Sequence, residues 1–154
     1  MGAALLCRWT DGDSGLGGVS WVNELDGGEN FRATVGSDDA RNVLRFRESS
    51  VFDERLAAAA AHATRNRLEC EGLTLSDVGA IVAAPARQGY RAALARQLDV
   101  SPERVIVGDD ERTHTASLGA ALQRAMKDGP IDVLLVAAGA GITAGAALYR
   151  EPPV

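Results

Sequence analysis

Few residues of this 154-residue chain combine the chemistry of a catalytic or metal-binding group with a spacing that could use it. His114 follows the acidic run Asp109-Asp110-Glu111, and an imidazole together with carboxylates can bind a metal ion. The run offers neither a second histidine nor a fixed ligand spacing, so we interpret it as a solvated loop and expect no metal. His62 stands among alanines in a helical pattern and is interpreted as a surface or boundary residue.

The two cysteines, Cys7 and Cys70, are the other candidates for chemistry, as nucleophiles or as a disulfide. Two cysteines do not make the disulfide framework of a small secreted domain. Since free cysteine behaves mostly as a small apolar residue, we interpret both as buried or incidental thiols.

The composition is that of one globular domain over residues 1–154. Apolar residues make up 46% of the chain and aromatic residues 5%, so we expect a core of small aliphatic side chains. The net charge of −5, with arginines scattered among acids, argues against nucleic acid and indicates no basic patch. The apolar runs are shorter than the roughly 20 residues that cross a bilayer, and no signal peptide is recognised. We expect a cytoplasmic protein without a cofactor.

Alternating apolar patterns predict an α/β domain that would position these residues. Strands are predicted at residues 3–9, 18–25, 78–84, 105–107, 133–138 and 144–150, with short strands also possible at 31–35 and 43–46 in a surface excursion. Helices are predicted from residue 51 to a stop at Gly72, at 90–98 and at 115–127. Strands separated by helices require crossovers, which predicts parallel central strands, whereas the last pair is joined too closely and should be antiparallel.

The helix predicted at residues 115–127 is apolar around nearly its whole circumference. A helix of this kind is normally buried on all sides, but a helix lying on a single sheet keeps one side in water. We therefore expect another layer to cover it. The alternative is that its small alanines tolerate exposure.

Three segments, taken in order, resemble the C-terminal half of the β-ketoacyl-acyl carrier protein synthase III family of the thiolase superfamily. Residues 133–148, VLLVAAGAGITAGAAL, are similar to the family's terminal strand, glycine turn, threonine and final Gly-x-Ala-Leu strand. Residues 98–107, LDVSPERVIV, resemble its helix end and following strand, and residues 1–6, MGAALL, resemble the strand that closes its N-terminal half.

The resemblance implies a particular fold. Full-length members contain two copies of one α/β unit, with a central helix from each copy lying between two sheets. This chain is thus expected to be one thiolase-like half: a single mixed five-stranded sheet in the order 3-2-4-5-1, with helices on its faces and the last strand antiparallel. The helix at 115–126 matches the central helix.

The resemblance also implies chemistry. In the family, a cysteine of the N-terminal half attacks an acyl thioester, and a histidine and an asparagine of the C-terminal half support decarboxylation of malonyl-acyl carrier protein. Neither cysteine here matches the nucleophile, and Ala84 occupies the histidine position. His114 stands at the asparagine position, where it could donate to a thioester oxygen or could be a helix-entry histidine capped by its own backbone. Gly139, Ala140 and Gly141 match a loop whose backbone amide completes an oxyanion hole, or else only permit a hairpin.

We therefore expect a non-catalytic or partner-dependent subunit of an acyl-thioester condensing system, as in fatty-acid or polyketide assembly. It would pair through the helix at 115–126 with a second copy or with an N-terminal-half subunit. One alternative is half of a split acyltransferase or ketosynthase that uses His114 with a partner's cysteine. Another is a module that binds coenzyme A or acyl carrier protein. Whether the chain is an enzyme stays open.

Overall fold

The computed structural model describes residues 12, 14–25, 28–39, 41–109, 116–128 and 132–150. The helices and strands follow in chain order: β1 (Gly15–Asn23), β2 (Phe31–Asp38), β3 (Arg41–Glu48), α1 (Phe52–Glu71), β4 (Ala80–Ala84), α2 (Gln88–Leu98), β5 (Val105–Ile106), α3 (Ser117–Ala125), β6 (Val133–Gly139) and β7 (Thr143–Arg150). The strand predicted at residues 3–9 lies outside the described residues. Within them, no helix is both long and apolar enough to cross a membrane.

Five strands form one mixed sheet in the order β1-β7-β6-β4-β5. β4 is parallel to both β5 and β6, while β7 is antiparallel to both β6 and β1. A crossover cannot fit between β6 and β7, because Gly139 and Thr143 already face each other in the ladder. The structure confirms the predicted thiolase-like α/β half, its strand order and its antiparallel last strand.

The main core lies between this sheet and helices α1 and α2. Its buried side chains are mostly alanine, leucine and valine, and β7 contributes Ala144, Ala146 and Leu148. α1 ends where the sequence predicts, because Gly72 adopts a left-handed conformation with φ +66°. Its N–H donates to the Glu69 carbonyl, and the next N–H donates to the Leu68 carbonyl, which closes the last turn.

The opposite face of the sheet, the α3 face, is covered less completely. Ala121 and Ala125 of α3 are buried in a second, smaller core with Ala80, Val82 and Val133. Leu118 and Leu122 are half-buried, and Gln123 and Arg124 are exposed. The helix predicted to be apolar all round therefore has one polar strip, and its outer apolar strip remains in contact with water.

The part of the α3 face formed by β1 and β7 carries large apolar side chains. Because opposed residues share a face, Leu16, Val19 and Trp21 lie on the side of Tyr149, Ala147 and Gly145. The exposed fractions of Leu16, Val19 and Trp21 are 62%, 45% and 64%. The Trp21 ring packs over Gly145, where a Cβ would lie 2.8 Å from its Cζ3 atom.

β2 and β3 form a separate two-stranded hairpin, longer than the short strands predicted there. Its base is held by Phe31, whose ring centroid is 5.6 Å from that of Phe52 in α1. Arg32 is opposed by Arg47, Thr34 by Arg45 and Asp38 by Arg41, so four arginines and one aspartate share one face. The expectation that the arginines are scattered without a basic patch is thus wrong for this hairpin.

Candidate functional site

Two of the positions implied by the sequence, Ala84 and the turn from Gly139 to Gly141, lie at one edge of the sheet. The parallel strands β4, β5 and β6 all end at this edge, here the carboxyl edge, and the β6–β7 turn crosses it. Open α/β sheets bind ligands outside the carboxyl ends of their strands, because the loops there can present polar groups. The carboxyl edge is therefore the candidate site.

Two of the predicted positions come together at this edge. Ala84 ends β4, is buried, and pairs with Ala137, two residues before the turn that begins at Gly139. The methyl group of Ala84 cannot donate a hydrogen bond or carry a proton. His114 lies outside the described residues, as does Cys7. Cys70 is an exposed free thiol near the far end of α1, away from the carboxyl edge.

The β6–β7 turn packs into the core on one side and is exposed to solvent on the other. Gly141 and Ile142 have φ angles of +80° and +52°, and such an angle is a clear outlier for a β-branched residue. The Ile142 side chain is fully buried in the main core, and its carbonyl accepts a hydrogen bond of 3.0 Å from the Glu24 N–H. Gly139, Ala140 and Gly141 are exposed. The turn can present backbone groups to a ligand oxygen.

Arg87 lies at the centre of a charged cluster at the same edge. The sequence alone did not indicate this cluster. Its Nη1 donates to both Glu48 carboxylate oxygens, at 3.0 and 2.9 Å. Its Nε lies 2.9 Å from Oδ1 of Asp53, and its guanidinium carbon lies 5.6 Å from the Phe52 ring centroid. The cluster links the loop after β4 to the end of β3 and the start of α1. The charge of Arg87 is therefore paired within the chain rather than free to meet a ligand.

Beside this cluster, Gly89 and Tyr90 pack closely against Asp53. A Cβ at Gly89 would lie 2.2 Å from Asp53 Oδ2, so any larger residue there would displace the Asp53 carboxylate. Tyr90 is fully buried, and its hydroxyl has no hydrogen-bond partner within the described part of the chain. Burial raises the pKa of the Tyr90 phenol, and the nearby Asp53 carboxylate raises this pKa further. Tyr90 therefore stays neutral at ordinary pH and cannot serve as a general base.

One residue of the acidic run before α3 forms an ion pair. Asp109 forms an ion pair with Arg124 of α3. Among the residues that the structure describes, no three histidine, cysteine or acidic side chains are grouped as a metal site. Asp110 and Glu111 lie outside the described residues. Asp109 is thus paired with α3 at an exposed position.

Residues 68–151 match the family model described as 3-oxoacyl-[acyl-carrier-protein (ACP)] synthase III C terminal. The match covers more than half of the chain. The chain belongs to this family. The resemblance found in the sequence is therefore confirmed.

Curated members of the synthase III family align with nearly the whole chain. Beta-ketoacyl-[acyl-carrier-protein] synthase III 2 of Streptomyces coelicolor is 34% identical over 154 residues, which cover 95% of this chain and 45% of that protein. Beta-ketoacyl-[acyl-carrier-protein] synthase III of Acidiphilium cryptum is 31% identical over 96% of this chain and 49% of its own length. The chain spans about half the length of the curated relatives it matches.

Solved structures support the fold. The 3-oxoacyl-(acyl carrier protein) synthase III of Pseudomonas aeruginosa superposes with a TM-score of 0.75 at 23% identity, over 96% of this chain and 48% of that one. The priming beta-ketosynthase from the R1128 polyketide biosynthetic pathway gives 0.68 at 24% identity, over 90% and 46%. In both, the synthase III fold extends well beyond the part that this chain matches.

Proposed function

We propose that this chain is a partner-dependent or non-catalytic subunit of an acyl-thioester condensing system of the fatty-acid or polyketide type. It pairs through α3 with an N-terminal-half unit of the synthase III family or with a second copy of itself. The observation that carries the proposal is the incompletely covered α3 face. Its acyl group arrives as a thioester, on acyl carrier protein or on coenzyme A.

The chemistry of the α3 face favours protein as its cover. Leu118 and Leu122 on α3 and Val19 and Trp21 on β1 are all apolar and accessible, on a single side of one sheet. Accessible apolar side chains gathered on one side of a sheet favour an interaction site, because leaving them in water costs free energy in proportion to their area. An N-terminal-half unit suits the family membership and the half-length match to the relatives.

The side chains that this chain lacks indicate that the partner would carry the main chemistry. Neither Cys7 nor Cys70 matches the family's nucleophile, and Ala84 cannot replace a histidine. What this chain can contribute is the open turn from Gly139 to Gly141 at the carboxyl edge. A backbone N–H there could stabilise an oxyanion once a partner delivers the acyl thioester.

The pairing is tested by measuring association with sedimentation velocity, for the chain alone and mixed with an N-terminal half of a synthase III. Trp21→Glu and Leu122→Arg should weaken association at least roughly tenfold, because each puts a charge into an apolar interface. Val35→Glu is the matched control, since Val35 is 71% exposed on the hairpin and away from the α3 face. A stable monomer in both samples, with α3 amides that exchange rapidly, contradicts the proposal.

A second candidate, a split acyltransferase that uses His114, is favoured by the open turn at the edge where Ala84 ends β4. Acyl transfer should then require both halves, and His114→Ala should abolish it while leaving association intact. Equal transfer rates for the variant and the parent would end this candidate without affecting the pairing.

A further inference from the structure

The five-stranded sheet has two outer edges, and among the described residues only one of them is protected. β5 forms the protected edge and is two residues long. Arg91 lies across it, because its Nε donates to the carbonyls of Val105 and Pro102 at 2.9 and 3.0 Å. A short strand covered by a long charged side chain is protected against pairing with another chain. The other edge, formed by β1, has no such cover within the described part of the chain.

Alternate residues of β1 turn their backbone groups away from the sheet. The Glu24 N–H donates to the Ile142 carbonyl, so Glu24 is a hydrogen-bonded partner of the β7 side. In an antiparallel pair such residues alternate with residues whose N–H and C=O groups face outward. The register therefore directs the backbone groups of Val19, Trp21 and Asn23 to the outside of the sheet. All three residues are exposed, and no described residue bonds to these groups.

Residues 19–23, whose outward side is here the free edge, also have the sequence of a strand that pairs well. They include no charged residue and no proline, and valine and tryptophan are enriched in strands. The register shift between Leu16 and Val19 interrupts regular pairing before this stretch. A regular apolar edge without charges is a template for a further strand, because its N–H and C=O groups have only water as partners.

We propose that the free edge binds the free edge of a second copy of this chain, as an antiparallel pair centred on Trp21. Val19 then lies opposite Asn23 of the second copy, and these residues exchange their backbone hydrogen bonds. The two Trp21 rings lie opposite each other on the α3 face, where an aromatic cross-strand pair is favourable. The proposal concerns the edge of the sheet and does not rest on the proposed function.

Near Gly18, the α1 side of β1 carries an excess of positive charge. Arg67 of α1 lies over Gly18, where a Cβ would be 2.7 Å from its Nη1. Arg67 and Arg150 both pair with the single carboxylate of Glu71. Among the described residues these two arginines therefore share one acid, and one positive charge is unbalanced.

The other end of the free edge carries an acid that matches this charge. Glu24 lies on the α1 side of β1, since its Oε2 is 3.0 Å from Nη2 of Arg55 in α1. Antiparallel pairing about Trp21 brings Glu24 of one copy beside Gly18 and Arg67 of the other. Two-fold symmetry repeats the contact, because both copies present the same surface. An unrelated extended peptide would have to supply this charge pattern itself, which favours a second copy as the partner.

Sedimentation equilibrium of the full chain measures the dimer. Val19→Pro removes an outward N–H without removing a bond to β7, so it should weaken dimerisation roughly tenfold or more. Val19→Thr is the matched control, because it keeps both the N–H and the β-branched shape, and it should dimerise like the parent. Equal dimerisation of the two variants, or a parent that stays monomeric at millimolar concentration, would overturn the proposal.

Amide hydrogen exchange followed by NMR separates the free edge from every other surface. As the concentration of the parent rises, the amides of Val19, Trp21 and Asn23 should become protected roughly tenfold or more. The amides of Ser20 and Val22 face β7 and should be protected at every concentration. A dimer whose outward amides still exchange freely would place the contact on another surface and refute the pairing. Protection that does not depend on concentration would assign the cover to residues of the same chain, and would refute it too.

Discussion

At the scale of single residues, the carboxyl edge depends on contacts between side chains that are far apart in sequence. Arg87 binds Glu48 and Asp53, and Gly89 leaves room for the Asp53 carboxylate. These ion pairs are partly exposed, so each contributes modestly to stability, on the order of 1 kcal/mol or less. Their larger effect is to fix where α1, α2 and β3 meet.

Gly89→Ala is expected to destabilise the chain by about 1–3 kcal/mol, because the new methyl group would overlap with Asp53. An ordinary Gly→Ala change inside a helix instead stabilises by roughly 1 kcal/mol. Urea unfolding measures the difference. In an Asp53→Ala background the clash is gone, so the same substitution should become neutral or stabilising. Identical effects in both backgrounds would show that the close contact is not the cause.

Because Tyr90 is buried, we expect the chain to lose stability at alkaline pH. Its pKa is raised by burial, so the native state keeps the proton while the unfolded chain ionises near 10.0. The folded state binds more protons, and its stability must fall by about 1.4 kcal/mol for each pH unit above that value. Tyr90→Phe should remove this share of the loss and change stability at pH 7 by less than about 1 kcal/mol. Unfolding curves recorded between pH 8 and about 11 give the free energy of unfolding of both proteins. An equal fall of this free energy with pH in the parent and the variant would contradict the prediction.

At the scale of elements, the β6–β7 turn is specified by one left-handed glycine. Gly141→Ala should cost about 1–2 kcal/mol, since φ +80° is unfavourable for a residue with a Cβ. Gly139→Ala is the control: a Cβ meets nothing within 4 Å at either position, and only Gly141 has a positive φ. The Gly139 variant should stay within about 0.5 kcal/mol of the parent in urea unfolding. Equal losses would mean that backbone strain is not responsible.

Most elements could be predicted because their apolar patterns follow their burial. β4 is buried at every position, so its continuous apolar run identified it. The hairpin strands extend to Asp38 and begin again at Arg41, beyond the predicted ends, because backbone pairing there needs no apolar side chain. β1 starts at Gly15 rather than at residue 18, since a register shift between Leu16 and Val19 admits glycines into the strand.

The candidate site could be predicted only in part, for a related reason. Ala84 and the turn at Gly139–Gly141 each stand at the end of a recognisable strand, so their shared edge follows from topology. The cluster of Arg87, Glu48 and Asp53 joins three elements, and no local spacing indicates it. The grouping of four arginines on one face of the hairpin likewise depends on the exact register of its strands, which composition cannot supply.

At the scale of the whole molecule, the two faces of the sheet are unequally covered. α1 and α2 bury one face, while α3 covers only part of the other, on which Trp21 of β1 remains exposed. In a Trp9→Phe background, the fluorescence of Trp21 should be that of an exposed indole and should move to shorter wavelength when the α3 face is covered. Association without any spectral change would place the contact elsewhere.

β1 and β7 come from opposite ends of the described chain, yet they are neighbours in the sheet, with Gly15 facing Arg150. The start of β1 and the end of β7 therefore lie side by side, in the strand pair that carries Trp21. A partner joined by a short tether to Gly15 or Arg150 would be held near the uncovered apolar surface at an effective concentration in the millimolar range. Even a weak affinity between the two units would then keep them together.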